Sequence, residues 1–255
     1  MKCVLPLKKD EHGQSMYPKS KANYFILSKE EQELCEKDIK ELLEKQIIRP
    51  SQSPFSCHIM YVSKKDENGN EVAEKRLVVN YKPLNVCLED NQHPLPSKDY
   101  IWQRIQGCNL FSKFDLTKGF WQVSIKEGER YKTAFSVPQG LYEWNVLPFG
   151  IKTAPSIFQS HMDRIFLPYS KFIQPYIDDI LIFSQDYNSH MSHLKQFLNI
   201  CQPHGLCLNP TKLHWCTESL LFIGTRIEPN GHLYPQAHLL TAIQKVEVKD
   251  KKSLQ

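Results

Sequence analysis

The chain has 255 residues, 41% of them hydrophobic, and a formal net charge of +4. That length is long for one compact domain and short for two complete ones, and the apolar share suffices for a packed core. Apolar runs such as Ile180–Phe183 fall far below the ~20 residues of a spanning helix, and the N-terminus lacks a secretory signal. The expectation is therefore a cytoplasmic protein with no membrane partner, whose mild basicity permits a nucleic acid without arguing for one.

Residues 1–27 are polar and proline-punctuated, as in an extended arm. Ser28 followed by Glu31 is a capping box. It predicts a helix to about Gln46, with Cys35, Ile39, Leu42, Leu43 and Gln46 on one face and "IIRP" as its end. "CHIMYV" and "RLVVNY" predict a hairpin around Asn68-Gly69. Lys64, Lys65 and Arg76 stand at its tip or flanks, where cations are usually only solvated charge. A short helix is expected within 94–107. "LFSKFDLTKGFWQVSI" then reads as a strand, a turn at Lys118-Gly119 and a second element. A strand pair surrounds "PQG", and "TAPSIFQSHMDRIF" is an amphipathic helix with Phe158, Met162 and Ile165 on one face. Next come a hairpin at "FIQPYIDDILIFS", a helix near 189–202 ending at Gly205, a strand, a strand pair around "EPNG", and a helical last twenty residues. Mixed helices and antiparallel strands without βαβ alternation indicate an α+β fold.

The eight cysteines contain no CxxC and are expected as reduced thiols. Cys201, His204, Cys207, His214 and Cys216 lack the tight paired spacing of a zinc site. His190 and His193, one helical turn apart with no evident third ligand, read as helix-surface residues.

Asp178 and Asp179 are adjacent carboxylates between apolar segments. Two turn residues in water would be the plain explanation. Against it, "YIDDIL" offers neither Gly nor Asn for a tight turn, and adjacent anions beside apolar strands repel and lose hydration. Asp115 ends another apolar-flanked strand. If the two strands pair, the carboxylates meet at one sheet edge. There they could hold two Mg²⁺ ions about 4 Å apart, one activating a hydroxyl and one neutralising a leaving diphosphate.

With these residues assembled, the sequence resembles the reverse transcriptases. "YIDD" at 176–179 is similar to their Y-x-D-D box and "FDLTKGF" at 114–120 to the first catalytic-aspartate segment. "LPFGIKTAPSIFQSHMD" at 147–163 resembles the palm helix motif, and "FIGTRI" at 222–227 the primer-grip hairpin. "VVNYKPLN", "FWQV" and "YEWNVLPFG" are most similar to plant pararetroviruses of the caulimovirus type, which share much with long-terminal-repeat retrotransposons.

The resemblance implies a right-hand polymerase fold with an antiparallel palm sheet. It divides the chain into an arm (1–24), fingers (25–90 and 123–150), palm (91–122 and 151–235, with the primer-grip hairpin) and a truncated thumb (236–255). Asp115 and Asp178 become the principal metal ligands, with Asp179 completing the set less directly, for Mg²⁺ or in its place Mn²⁺. Nucleotide contacts fall to Lys64, Lys65, Arg76, Tyr176, the backbone N–H after Asp115 at Leu116, and Phe120 as a steric gate against a 2′-hydroxyl. Phe222, Ile223 and Gly224 fall in the primer grip. Primed RNA or DNA template and deoxynucleoside triphosphates are the implied partners, with the rest of the thumb and ribonuclease H expected downstream. Orthoretroviral enzymes carry Gln where this chain has Phe149, so no polar role attaches to Phe149. An RNA-templated RNA polymerase is disfavoured by Ile177 and Phe120. An inactive endogenised relic that at most binds nucleic acid is the alternative that activity would decide.

Overall fold

The computed structural model describes residues 1–18, 27–65 and 71–235, and the side chains of Lys64, Lys65, Glu71, Ala73 and Pro235 lie outside that description. So do the Asn68-Gly69 tip and the helix expected at the end of the chain. The first part runs β1 (Lys2–Cys3), α1 (Lys29–Glu44), β2 (Ile48–Pro50), β3 (Cys57–Lys65), β4 (Glu71–Val79), α2 (Lys82–Cys87), α3 (Lys98–Arg104) and β5 (Leu110–Asp115). Next come β6 (Ser124–Ile125), β7 (Phe135–Val137), β8 (Gly140–Trp144), α4 (Ala154–Phe166), β9 (Ile173–Tyr176) and β10 (Asp179–Ser184). The remainder is α5 (Tyr187–His204), β11 (His214–Thr217), β12 (Leu220–Phe222), β13 (Thr225–Glu228) and β14 (His232–Pro235). No described helix is long and apolar enough to cross a membrane.

The chain divides into two units: Met1–Pro94 with Lys118–His161, and Leu95–Thr117 with the described residues from Met162 onward. In the first, a five-stranded sheet has the order β2-β8-β7-β3-β4, antiparallel except for β3 and β7. Helix α1 opens on the expected capping box: Ser28 Oγ accepts from the Glu31 N–H while a Glu31 carboxylate oxygen accepts from the Ser28 N–H. Its apolar stripe of Cys35, Ile39 and Leu42 is buried. On its flank, the Tyr61 hydroxyl donates to Asp38 at 2.9 Å and Lys75 pairs with Glu31 at 3.0 Å.

The end of α1 corrects the expectation. The helix stops at Glu44, and Gln46 is exposed with φ 54° instead of lying on the buried face. Ile47 N–H donates to the Leu42 carbonyl and Gln46 N–H to that of Leu43. This is the double closure that usually recruits Gly, here made with Gln. "IRP" then continues as β2 instead of only ending the helix.

In the second unit, a four-stranded antiparallel sheet has the order β11-β5-β10-β9. Strand alternation gives it two apolar faces. Phe111, Leu181 and Phe183 pack with Ile101 of α3 and its C-cap Ile105, and with Leu220, Phe222 and Ile227 of the β12-β13-β14 sheet. On the opposite face Phe114 meets Phe197 of α5 at 4.5 Å between ring centroids, and Phe166 stacks on Phe197 at 5.8 Å.

His190 lies on that second face and is fully buried, which overturns its expected place on the helix surface. Its Nε2 is 2.8 Å from Ser112 Oγ and its Nδ1 2.8 Å from Ser184 Oγ, so two strand hydroxyls satisfy a ring that burial would otherwise penalise. His193 is half-buried and stacks on Phe172 at 3.9 Å. Helix α5 ends at Gly205 as expected, but the strand after it shrinks to one bridge, Leu116–Leu208, and β11 begins only at His214.

Candidate active site

The register of β5 and β10 brings the separated carboxylates together. Asp179 stands directly opposite Asp115, and every pair back to Ser184–Leu110 follows without a slip. On its other side Asp179 pairs with Tyr176, leaving Ile177 and Asp178 as the two central residues of the β9–β10 hairpin. The Leu116 N–H donates to the Asp178 carbonyl at 3.0 Å, which locks the corner to the end of β5. The turn forms without Gly or Asn because Ile177 itself takes φ 51°. A β-branched residue in that region is strained.

A second isoleucine does the same. Phe222 pairs with Thr225, so Ile223 (φ 48°) and Gly224 (φ 71°) form the β12–β13 turn. Positive φ at both central residues matches the twist of a two-residue hairpin. Phe222 is fully buried and Ile223 partly buried against the same core cluster.

The carboxylates differ in their surroundings. Burial first, and then the charges of Asp115 and Asp179, push the Asp178 carboxyl up to about 6, with Lys212 acting in the opposite direction. Its Oδ1 is buried and accepts no hydrogen bond from the described protein atoms. Asp115 accepts from Asn209 Nδ2 at 3.3 Å and lies 3.6 Å from Lys212 Nζ. Asp179 pairs with Lys113 at 3.0 Å. Among the described residues no group of three or more His, Cys, Asp or Glu side chains is arranged to hold a metal ion. What the corner offers is an open set of hard oxygens, one of them orphaned. That fits Mg²⁺ or Mn²⁺, which bind carboxylate oxygen and keep water or phosphate in their remaining positions.

The other expected site residues are distributed between the units. Leu116 is buried and its N–H donates to the Asp178 carbonyl. Tyr176 packs on the core cluster of the second unit. In the first unit, exposed Arg76 lines a cavity of about 620 Å³ with Lys75, Lys118, Trp121 and Phe149. Lys118 takes φ 48° and holds its ammonium 4.3 Å from the Trp121 ring centroid. Lys64 and Lys65 belong to the end of β3, but their side chains lie outside the described residues.

Phe120 is only 8% exposed, between Phe149 at 5.1 Å and Phe158 at 5.5 Å, whereas Phe149 is 49% exposed. The Phe149 loop is clamped by Asn85, whose Nδ2 donates to the Gly150 carbonyl and whose Oδ1 accepts from the Lys152 N–H, both at 2.9 Å. Reading the sequence missed Lys113, Lys118, Asn209 and Lys212. Only Lys113 carried a local signal, since two residues before Asp115 in a strand means the same face.

The family described as reverse transcriptase (RNA-dependent DNA polymerase) matches residues 62–227. The enzymatic polyprotein of Cauliflower mosaic virus (strain NY8153) is 42% identical over 227 residues, covering 88% of this chain and 33% of that protein. The genome polyprotein of Petunia vein clearing virus (isolate Shepherd) is 38% identical over 241 residues, covering 94% of this chain and 11% of that protein. The chain thus spans about a third or less of these relatives. Among solved structures, a foamy viral protease-reverse transcriptase in complex with RNA/DNA hybrid superposes with a TM-score of 0.76 at 18% identity, covering 96% of this chain and 32% of that one. At that identity the likeness is one of fold, and it shows the α+β polymerase architecture.

Proposed function

The chain belongs to the reverse transcriptase (RNA-dependent DNA polymerase) family, and on that premise we propose that it extends a primer 3′ end with deoxynucleotides on an RNA or DNA template, as the polymerase portion of a viral or endogenised polyprotein. The observation that carries this reading is the corner where Asp115 faces Asp179 and a strained two-residue turn presents Asp178 with an orphaned oxygen. Asp115 and Asp178 would be the principal holders of Mg²⁺, or of Mn²⁺ in its place, with Asp179 in support. A bound pair of such ions supplies an activated primer hydroxyl and charge neutralisation at the leaving diphosphate.

The chain's own contribution is position. The rigid register and the Leu116–Asp178 backbone bond fix the carboxylates before substrate arrives, so little reorganisation is left for the reacting state. Arg76, with Lys75 and Lys118 around the same cavity, is suited to charge-assisted hydrogen bonds with a polyphosphate. Lys64 and Lys65 join that role on sequence grounds. Tyr176 would border the nucleotide. Phe120, backed by Phe158 and fronted by Phe149, would stiffen the aromatic wall that excludes a 2′-hydroxyl. The tight Phe222-Ile223-Gly224 turn would hold the primer strand. In these terms the fingers (25–90 and 123–150) would fall within the first unit, and the palm (91–122 and 151–235) would take in the described second unit together with 91–94, 118–122 and 151–161 of the first. The rest of the thumb and ribonuclease H are partners of this portion in such a polyprotein.

The test is extension of a DNA primer on an RNA template with deoxynucleotides and Mg²⁺. Extension that Asp178→Asn abolishes supports the reading. Extension that survives Asp178→Asn removes the metal assignment. Absent extension, even with the thumb and ribonuclease H supplied, favours a relic that at most binds nucleic acid.

A further inference from the structure

Of the three carboxylates in the corner, Asp179 has the closest cation. Lys113 Nζ lies 3.0 Å from its Oδ2, with side chains only 20% and 27% exposed. Lys113 precedes Asp115 by two residues on β5, and Asp115 is the cross-strand partner of Asp179, so all three share one face of the sheet. The ammonium also lies 6.0 Å from the ring centroid of buried Phe222. Lys212 is different. It stands 3.6 Å from Asp115, but its side chain is 67% exposed and solvent screens it. Lys113 is therefore a fixed cation built into the corner where divalent cations would bind.

We propose that Lys113 is a positioning residue that draws Asp179 away from direct metal ligation, leaving it a supporting charge, and weakens the corner's own affinity for a divalent cation. The inference rests on the reading of this corner as a metal site. It accounts for three neighbouring carboxylates that do not form a three-ligand metal site: one is tied to a half-buried lysine and another to Asn209. A cation then rests chiefly on Asp115 and Asp178 and needs substrate phosphate oxygens to complete its shell. Metal loading is thereby coupled to nucleotide binding. Where the carboxylates alone would retain a metal without substrate, the lysine charge opposes it.

The experiment is a titration of the whole chain with Mn²⁺ alone, free Mn²⁺ being followed by electron paramagnetic resonance without template or nucleotide. An ammonium held within ~7 Å of a divalent ion in a partly buried corner weakens binding by about tenfold or more. Lys113→Met should tighten Mn²⁺ binding by about that factor, and the shorter neutral Lys113→Gln should do the same. Lys113→Arg, which keeps the charge, should bind as the parent does. Asp178→Asn should lose binding. If both neutral variants bind no more tightly than the parent while Asp178→Asn loses binding, the role of Lys113 is overturned and the metal reading stands. If Asp178→Asn binds Mn²⁺ unchanged, the metal reading itself falls, and this inference with it.

Discussion

Replacing Asp178 by Asn should make the metal-free protein more stable while removing its activity. The folded state raises this carboxyl from its ordinary 3.8 to about 6, because the charged form is buried beside two other carboxylates. A raised folded pKa means that the fold holds the proton more tightly than the unfolded chain does. The stabilisation from that proton is complete below 3.8 and is lost as pH rises through about 6. At pH 8 the folded protein therefore carries a carboxylate it disfavours. A rise of that size corresponds to about 3 kcal/mol at most, and about 1–2 kcal/mol after allowance for the part of the group that solvent reaches. The amide of Asn removes the charge and adds donors facing Asp115 and Asp179.

Urea denaturation with a chelator at pH 8 should show Asp178→Asn more stable than the parent by about 1–2 kcal/mol. The gap should close as pH falls from about 6 toward 3.8. Millimolar Mg²⁺ should raise the parent's midpoint and leave that of the variant in place, because only the parent keeps the ligand. A variant less stable than the parent at pH 8 without metal would refute the electrostatic account of the corner.

Phe120→Ala should admit ribonucleotides, lowering the deoxy-to-ribo ratio of kcat/KM by at least about tenfold; an unchanged ratio removes the gate assignment. His190→Ala should cost about 2–4 kcal/mol in urea denaturation, since it opens a buried space and removes a partner from Ser112 and Ser184; a loss under about 1 kcal/mol would contradict its organising role. Gly231→Ala should lower stability by about 2 kcal/mol or more, because its φ is 73° and a Cβ there would sit 2.8 Å from the Ile105 carbonyl oxygen. A midpoint equal to the parent's would show that the β13–β14 corner yields.

Local signals in the sequence anticipated much of this structure. The Ser28–Glu31 box, the stop at Gly205 and the apolar-flanked strands that end at Asp115 and start at Asp179 each depend on neighbours a few residues away. What was not legible depends on distant partners. His190 looks like a surface residue until Ser112 and Ser184, on two different strands, supply its hydrogen bonds. Lys113 looks like solvated charge until β10 places Asp179 beside it. "YIDDIL" offered neither Gly nor Asn for a tight turn, yet the register on both sides of β10 puts Ile177 at positive φ. At the end of α1, Gln46 does what Gly usually does, and sequence patterns are blind to that exception.

The central claim meets its most direct test in an anomalous-scattering map of crystals holding the chain, primed template, a deoxynucleoside triphosphate and Mn²⁺. The account predicts manganese peaks at ~2.1–2.2 Å from carboxylate oxygens of both Asp115 and Asp178, next to the triphosphate. Manganese bound elsewhere, with neither carboxylate in its coordination shell, would contradict it.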